Sequence, residues 1–568
     1  MALFPPEFLA GMLLAFVQLR LRSHFSLATW LVNGLTFFLP PEDELIATLN
    51  GQTAKGKAGQ PLSPADKMDK FYVRVAKTEP GVFSQTLFFE LYEMLVVLVS
   101  SATMGCWIGS VVSFTAPWFS SGGYDDTLDV ATYGLMSAML VALWFPLQLN
   151  FAQGLGGYEA RLGLAVGFIG LIASGFIILS PKGLLDFDVE LAAQVAGQRL
   201  AMVLRAVGFT DGDFVNLAPL AEMARVTLFV TFALFAGIFT CTTFLPSFRF
   251  ARMYSEMIKD KQTSMAMKLL LHLNMLFPML ICALWVPRLS KNVLVPEELV
   301  KCSPRALTRD CLESEVLGLT VSSDVWKWYS LTESQFHTLR IYVVFVACLV
   351  RLICFRTHVQ SFLLEPREVM ASLVSRPGFV DGALLQSKVR LQFNYVPIIA
   401  LQYLAPVCAL LASAQLLMKQ TATSLGVFKG VTWVLQHVAP NMSIPGSLTP
   451  EGLNTASLNV LPDPTAPPNL GGFRLGDDLN KENVTPFLRG MSQFPVLTAE
   501  FYEAALGFLI WFLSFTMFAV SLAGLLYWRN VAAHGSTEVE QAAVRTNKQT
   551  PKTLKNQLKS LKLNKKNK

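Results

Sequence analysis

Residues 395–418 read YVPIIALQYLAPVCALLASAQLLM and contain no charged side chain. A helix needs about 20 mostly apolar residues to cross the hydrocarbon core of a bilayer, and this stretch meets that length. Because lipid offers no hydrogen-bonding partners, the backbone must bond within the segment, which predicts an α-helix. The stretch therefore predicts a membrane-spanning helix, with lipid as the solvent around the fold.

Seven further segments share this apolar character, and the chain is 52% hydrophobic and 15% charged over 568 residues. A soluble domain carries nearer a quarter charged residues, and a membrane β-barrel would show short alternating runs instead. We therefore predict an all-α polytopic transmembrane helix bundle. The seven segments are Leu91–Phe114, Leu128–Leu149, Leu162–Ser180, Val226–Leu245, Leu269–Val286, Arg340–Phe355 and Ala504–Tyr527.

The N-terminus holds two shorter apolar stretches, Phe8–Leu19 and Phe25–Leu39. Basic residues follow the first stretch, whereas a signal peptide normally carries them before its apolar run. We favour one N-terminal crossing, with the second stretch at the membrane interface. A helical hairpin and a cleaved signal are the alternatives. Eight long spans and one N-terminal span make about nine.

Basic loops indicate the orientation, because cytosolic loops collect Lys and Arg. Loops Pro246–Lys268 and Arg356–Leu391 and the tail after Trp528 are rich in both residues. We expect these on the cytosolic side and the intervening loops on the opposite side. Loop Pro287–Gln335 is also basic, so the charge bias is imperfect.

Two further signals support that orientation. Asn441 and Asn483 begin N-x-S/T sequons, which are glycosylated only where they face the lumen or the exterior. Cys302 and Cys311 lie in another loop on the same side and could pair in an oxidising compartment. These residues are therefore candidates for glycosylation and for a disulfide.

The chain divides by composition into membrane and soluble parts. Residues 40–90 include the flexible-linker composition of Gly51–Pro64, and the long loop is rich in Pro, Ser, Thr, Gly and Asn. The predicted parts are N-terminal membrane segments (1–39), a cytosolic linker (40–90), a core of seven long spans (91–418), a partly disordered lumenal or extracellular loop (419–503), the last span (504–527) and a basic cytosolic tail (528–568).

The basic tail has two readings of equal weight. Leu554, Leu558 and Leu561 share one helical face between lysines, which suits an anionic membrane leaflet; a solvated tail is the plain alternative. The last four residues also fit a dilysine retrieval signal, although a Lys-rich tail produces that spacing easily. The tail leaves the endoplasmic reticulum and the plasma membrane both open as locations.

Polar residues inside the spans are candidate functional residues because they are costly in lipid. Glu93 and Arg351 could pair near the cytosolic face, but snorkelling of Arg351 to the interface is the favoured interpretation. His272 is more easily explained as an interfacial hydrogen-bonding residue than as a ligand. The full set of intramembrane polar candidates is Glu93, His272, Asn274, Arg351 and Gln402.

Two features could bind something. Prolines interrupt the segments Leu269–Val286 and Tyr395–Met418, and broken helices build substrate sites in some transporters, although ordinary spans also tolerate kinks. A basic cytosolic collar could bind lipid headgroups or a partner channel, although simple positive-inside anchoring is the favoured explanation. The collar residues are Arg249, Arg252, Arg356 and His358.

Enzyme signatures are missing from the sequence. It contains no HExxH, GxSxG or P-loop motif and no G-x-G-x-x-G after a strand, and its six histidines lack metal-site spacing. The formal charge of +6 concentrates in the tail, so it does not indicate nucleic-acid binding. We expect a protein that is not an enzyme, with no cofactor and no nucleic-acid partner.

Five strings resemble, in order and spacing, the transmembrane protein 161 family of eukaryotic multi-pass proteins. Strong matching is confined to residues near 244–290 and 340–411, and the long loop and Lys-rich tail depart from the animal members. The strings are HFSLATWLV (His24–Val32), LPSFRFARMYSEMI (Leu245–Ile258), LLLHLNMLFPMLICALWVPRL (Leu269–Leu289), VRLICFRTHVQSFLL (Val350–Leu364) and LQYLAPVCALL (Leu401–Leu411).

The resemblance implies a non-enzymatic membrane protein with no established catalytic or transport site. Animal relatives are associated with the tuning of potassium and calcium currents and with tolerance of oxidative stress. No motif carries these roles residue by residue. We therefore expect a modulator or scaffold whose partners are the bilayer, ion channels or other membrane proteins, and, through the tail, anionic lipids. A transporter or channel beside the Pro-broken helices is the alternative.

Overall fold

The computed structural model describes the helical parts of the chain. It covers residues 6–51, 62, 64–115, 130–151, 157–206, 217–294, 333–374, 378–420 and 501–530, except residues 23, 80, 87, 180–183, 188 and 261–262. Asn441, Asn483, Cys302, Cys311 and residues 531–568 of the basic tail lie outside the described residues, as does nearly all of Gly51–Pro64. The predictions made for them therefore stay predictions.

The described residues form a bundle of long helices, and eight of them are long and apolar enough to cross a membrane. The predicted all-α polytopic bundle is thus confirmed. In chain order the helices are α1 Pro6–Arg20, α2 Leu27–Val32, α3 Asp43–Leu49, α4 Pro64–Lys70, α5 Phe89–Thr115, α6 Val130–Asn150, α7 Tyr158–Ile178, α8 Val189–Ala206, α9 Leu217–Lys259, α10 Met265–Leu284, α11 Lys291–Leu294, α12 Glu333–Leu364, α13 Pro366–Val374, α14 Gly382–Asn394, α15 Val396–Gln420 and α16 Phe501–Asn530.

Helix α15 lies at the centre of the bundle. In its most apolar stretch, 89% of the residues are buried, a larger share than in any other candidate span of the described residues. Helices α5, α6, α9 and α12 pack around it. The stretch that predicts the fold is therefore also its innermost helix.

Helix α1 is the candidate for a ninth crossing. Its 15 residues rise about 22 Å, less than the hydrocarbon thickness. It runs antiparallel to α5, with Gly11 against Gly105 and Glu7 against Gly109. A Cβ atom on Gly105 would lie 2.6 Å from the Gly11 Cα, so the glycines are what permit this approach. The six residues of α2 are too few to cross, which argues against an N-terminal helical hairpin.

The bundle has two ends, and each carries basic residues. The Arg249 end holds Arg249, Arg252 and Arg356, and the Lys419 end holds Lys419 and Arg340. By the charge argument above, the Arg249 end would be cytosolic.

Helix α9 continues far beyond the segment expected to span the membrane. Pro246 was expected to begin a loop that reaches Lys268, but α9 has 43 residues and ends at Lys259. That part of the prediction is wrong. Proline removes one helical hydrogen bond, yet apolar residues keep their helical spacing beyond it: Phe250, Met253 and Met257 are all buried. Tertiary packing therefore outweighs the proline.

A small folded cap occupies the Arg249 end and is built from parts of the predicted linker (40–90) and of the predicted loop Arg356–Leu391, which contains two helices. Strands β1 (Thr36–Phe38) and β2 (Val75–Lys77) pair antiparallel, with Phe37 opposite Ala76. Helices α3, α13 and α14 close over a second apolar core with the strands, and Leu49, Met370, Val374 and Leu385 are all fully buried in it. The two strands have three residues each and α3 has seven, too few to show a clear periodicity, which explains why the sequence indicated a linker over residues 40–90.

Candidate functional site

A groove of about 420 Å³ lies at the Arg249 end between the ends of α7, α9, α12, α14, α15 and α16. Its volume falls in the range of about 300–1,000 Å³ typical of small-molecule sites. We call it the Arg249 groove. Its charged and polar lining residues are Glu159, Arg249, Arg252, Glu256, Glu365 and Gln392, and its aromatic ones are Phe248, Phe362, Tyr395 and Trp528.

Helix α9 supplies most of the charge. Arg249, Arg252, Met253 and Glu256 occur at helical positions i, i+3, i+4 and i+7, and such spacing places side chains on one helical face. The continuation of α9 through Pro246 is what brings this face to the groove. The groove therefore depends on the part of the helix that we had expected to be a loop.

The arginines of the groove are held by ion pairs and hydrogen bonds. Arg249 pairs with Glu159 at 2.9 Å and also donates to the Gln402 side chain. Arg252 pairs with Glu256 at 2.8 Å and with Glu365 at 2.6 Å. The expected basic collar is thus a mixed-charge surface at these two positions.

Further contacts fix the carboxylates and the outer wall. Ser361 donates to Glu256 at 2.9 Å, and Gln392 donates to Glu365 at 2.9 Å. The Arg252 guanidinium lies 4.9 Å from the centre of the Trp528 ring, a cation–π contact. The buried Nε1–H of Trp528 has no hydrogen-bond partner among the described residues.

A second cavity of about 200 Å³ adjoins the first. Glu159, Arg249 and Tyr395 line both cavities, while Asn150 and Gln402 line only the second. The Arg249–Glu159 pair therefore stands where the two spaces meet.

A separate polar cluster lies deeper, between α9, α10, α12 and α15. The Arg351 side chain is 5% exposed, and its guanidinium lies 4.7 Å from the Phe250 ring centre and 5.0 Å from that of Tyr403. Its Nε has no hydrogen-bond partner, and no ion pair joins it to a described carboxylate. Snorkelling, the interpretation we favoured for Arg351, is therefore wrong.

Tyr403 connects the other members of this cluster. Its hydroxyl donates to the Arg351 carbonyl at 3.0 Å and accepts from the Asn274 amide at 3.3 Å. His358 is fully buried, donates through Nδ1 to the Cys354 carbonyl at 2.8 Å and packs 4.9 Å from the Phe250 ring. His358 therefore belongs to the bundle interior and not to a surface collar.

The remaining candidates occupy separate places. Glu93 is buried and bonds Ser26 at 2.8 Å and Arg22 at 2.7 Å, so it does not pair with Arg351. His272 is exposed and bonds the Tyr254 hydroxyl at 2.8 Å.

Arg356 is exposed and donates to the Asn33 carbonyl, which ties α12 to the turn before β1. The intramembrane polar candidates therefore do not form one site: Asn274 and Arg351 share the deep cluster, and Gln402 lines the second cavity.

An ion-pair cluster that the sequence reasoning missed lies at the Lys419 end. Arg340 is 3% exposed, pairs with Asp186 and donates to the Leu284 carbonyl at 3.0 Å. Its guanidinium lies 5.2 Å from the Trp285 ring centre and 4.4 Å from that of Phe336. In the sequence, this cluster was indicated only by the position of Arg340 at the start of the apolar segment Arg340–Phe355.

The groove residues could have been found by their position in the strings quoted for the family resemblance. Arg249, Arg252 and Glu256 lie in the second string, and Glu365 directly follows the fourth. Trp528 lies outside all five strings, and only the fold brings it to α9. Among the described residues, no three His, Cys, Asp or Glu side chains group as a metal site would need.

These features define a class: an integral, multi-pass membrane protein with a packed helical interior and a mixed-charge groove at one end. The model of the family described as "predicted transmembrane protein 161AB" matches residues 133–330 and 306–532, which together exceed half of the chain. The chain belongs to this family. No solved structure matches it significantly.

Proposed function

We propose that the chain is a non-enzymatic modulator or scaffold in the membrane that regulates ion-channel currents, potassium and calcium currents above all, or stress tolerance. The main observation in favour is that several polar side chains of the bundle interior are hydrogen-bonded within the bundle. Asn274 bonds Tyr403, Glu93 bonds Ser26, and Gln415 donates to the Thr103 carbonyl at 3.0 Å. A protein that conducts ions would instead need polar groups turned towards a continuous aqueous path.

The alternative, a transporter or channel beside the Pro-interrupted α10 and α15, has weaker support. Asn274 and Gln402 lie on those helices, but Asn274 is buried against Tyr403, whereas Gln402 accepts a hydrogen bond from Arg249. The described cavities that contain Gln402 or Arg249 lie at one end of the bundle. A groove at one end suits contact with a partner better than passage of a solute.

Reconstitution into liposomes separates the two functions. Liposomes containing the purified chain and a potassium or calcium dye should show the flux of protein-free liposomes, with an ionophore as positive control. Robust ion flux would overturn the modulator proposal.

Whole-cell recording tests the modulator directly. Expression of the chain in excitable cells should change potassium or calcium current density, and Arg249→Gln should reduce the change because it removes the Glu159 ion pair at the groove. The exposed Arg390 of α14 provides a matched control, Arg390→Gln, that should behave as wild type. Unaltered currents on expression of the wild-type chain would contradict the proposal.

Location and partners follow as parts of this proposal. The endoplasmic reticulum and the plasma membrane both suit a multi-pass protein with a Lys-rich tail, and anionic lipids suit that tail. Fluorescence microscopy of the chain with and without the last four residues distinguishes the two membranes: retrieval predicts a shift to the plasma membrane on truncation.

A further inference from the structure

We propose that the second cavity, which adjoins the Arg249 groove, binds a phosphate group through Arg249, the side-chain amide of Gln402 and the N-terminus of α7. The proposal concerns a ligand site and goes beyond the proposed modulator function. Lipid headgroups and free inorganic phosphate both supply this chemistry, and binding measurements distinguish the two sources.

Gln402 contributes a buried donor that faces the cavity. The residue is 3% exposed, and its Oε1 accepts from Arg249 at 2.5 Å. Its Nε2 has no hydrogen-bond partner among the described residues, and this nitrogen is not one of the side-chain atoms closed off from solvent. Because Gln402 lines only the second cavity, its free N–H groups open into that space.

Helix α7 contributes backbone donors from its first turn. Its N-cap is Gly157, which has no side chain to cap the helix, and Gly157 and Ala160 both line the cavity. The first N–H groups of a helix have no partner within the helix. Together with the positive end of the helix dipole, such groups form a common binding place for phosphate.

Arg249 joins these two sets of donors. Its Nη1 bonds Gln402 at 2.5 Å, and its Nη2 bonds Glu159, the second residue of α7, at 2.9 Å. The guanidinium therefore lies between the Gln402 amide and the first turn of α7. A guanidinium has five N–H groups, and these bonds use two. Arg252 does not line this cavity, so no second ion pair separates the donors.

The charge of the cavity suits an anion. Arg249 and Glu159 are the charged residues among its described lining, and the Glu159 side chain is 54% exposed. Ion pairs with an exposed partner contribute little stability. A bound anion can therefore take the place of Glu159 at Arg249 while the carboxylate turns to solvent. The helix dipole adds further positive potential.

The size and the number of donors favour phosphate over a carboxylate. The cavity measures about 200 Å³, below the range of about 300–1,000 Å³ for larger organic ligands. A phosphate monoester presents three strong acceptor oxygens, one for each of the three sources of donors, whereas a carboxylate has two. Phe88, Leu149 and Ile398 complete the wall and provide an apolar surface for the carbon atoms of an ester.

The test measures binding to the full chain in detergent micelles. Native mass spectrometry compares phosphatidic acid with diacylglycerol of the same acyl chains, and equilibrium dialysis measures radiolabelled inorganic phosphate at constant ionic strength. Tighter binding of phosphatidic acid identifies a lipid phosphate as the ligand. Saturable binding of inorganic phosphate without that preference identifies free phosphate. Equal binding of the two lipids together with no saturable phosphate binding would overturn the proposal, as would displacement of phosphate by an equal concentration of acetate.

Two variants should change the affinity in opposite directions. Gln402→Glu keeps an acceptor for Arg249 but replaces the free donor by a negative charge, so the apparent Kd of the phosphate ligand should rise about tenfold. Glu159→Gln removes the carboxylate that competes for Arg249, so the apparent Kd should fall up to about fivefold. The exposed Glu44 gives the matched control Glu44→Gln, which should bind as wild type.

The opposite signs distinguish a binding site from a structural role. Loss of structure around the cavity would weaken binding in both variants, and an unchanged Kd in both would overturn the proposal. Thermal unfolding shows whether each variant folds. If Gln402→Glu does not, the exposed Glu159→Gln decides: tighter binding supports the site, and unchanged or weaker binding overturns it. A failure here leaves the flux and current measurements unaffected.

Discussion

Two arginines of the same helix, α12, are buried in different ways. Arg340 and Arg351 are 3% and 5% exposed, and each guanidinium lies over two aromatic rings. Arg340 has a carboxylate partner, Asp186, and a carbonyl acceptor. Arg351 has no ion pair with a described residue, and its Nε is without a hydrogen bond.

This difference distinguishes a buried arginine whose partners account for its burial, Arg340, from one whose described contacts do not, Arg351. A buried cation costs several kcal/mol unless it is paired and hydrogen-bonded. Arg340 meets that requirement, so its place is explained by the stability of the Lys419 end. Cation–π contacts contribute about 2 kcal/mol when desolvated, which offsets only part of the cost for Arg351. The described contacts therefore do not account for the full cost of burying Arg351.

Removal of the Arg340 partner should have the largest effect. Asp186→Asn keeps the shape of the side chain but leaves Arg340 as a buried charge with no carboxylate in that pair, and breaking a buried ion pair costs about 3–5 kcal/mol. Because the Asp186 side chain is 23% exposed, we expect the lower end, about 3 kcal/mol. Thermal unfolding in detergent measures the loss. Asp69, exposed on α4, gives the control Asp69→Asn; an equal loss in both variants would show that the pair is unimportant.

Replacement by methionine should change the free energy of unfolding in opposite directions at the two arginines. Arg340→Met leaves Asp186 beside Lys291 at 3.9 Å and loses the pair, so stability should fall by about 1–2 kcal/mol. Arg351→Met removes a desolvated charge without stranding a carboxylate, so stability should rise by about 1–2 kcal/mol. Thermal unfolding of both variants checks the signs.

The current assay complements this measurement. If Arg351 is kept for function, Arg351→Met should remain folded yet lose its effect on channel currents. A destabilised Arg351→Met would contradict the contrast between the two arginines and indicate that Arg351 has a partner that stabilises it.

The same contrast shows how far the sequence could be read. Apolar length predicted the eight spans because the bilayer dictates it, and it placed α15 in the membrane from its residues alone. It could not show that α9 continues through Pro246, since packing of Phe250 and Met253 decides that. Nor could it distinguish Arg340 from Arg351. Asp186 lies 154 positions from Arg340, so only the fold reveals which arginine is paired.

The smallest expected loss of stability comes from removing the hydrogen bonds of the Tyr403 hydroxyl. Tyr403→Phe removes the hydroxyl that accepts from Asn274 and donates to the Arg351 carbonyl, and should cost about 1 kcal/mol. Asn274→Ala should cost about as much. Their combination should cost less than the sum, by about 0.6 kcal/mol, the mean coupling of such bonds in membranes. A double-mutant cycle measures the coupling, because the two residues share the Asn274–Tyr403 hydrogen bond. If the two losses of stability simply added up, Tyr403 would hold the Arg351 carbonyl independently of Asn274 on α10.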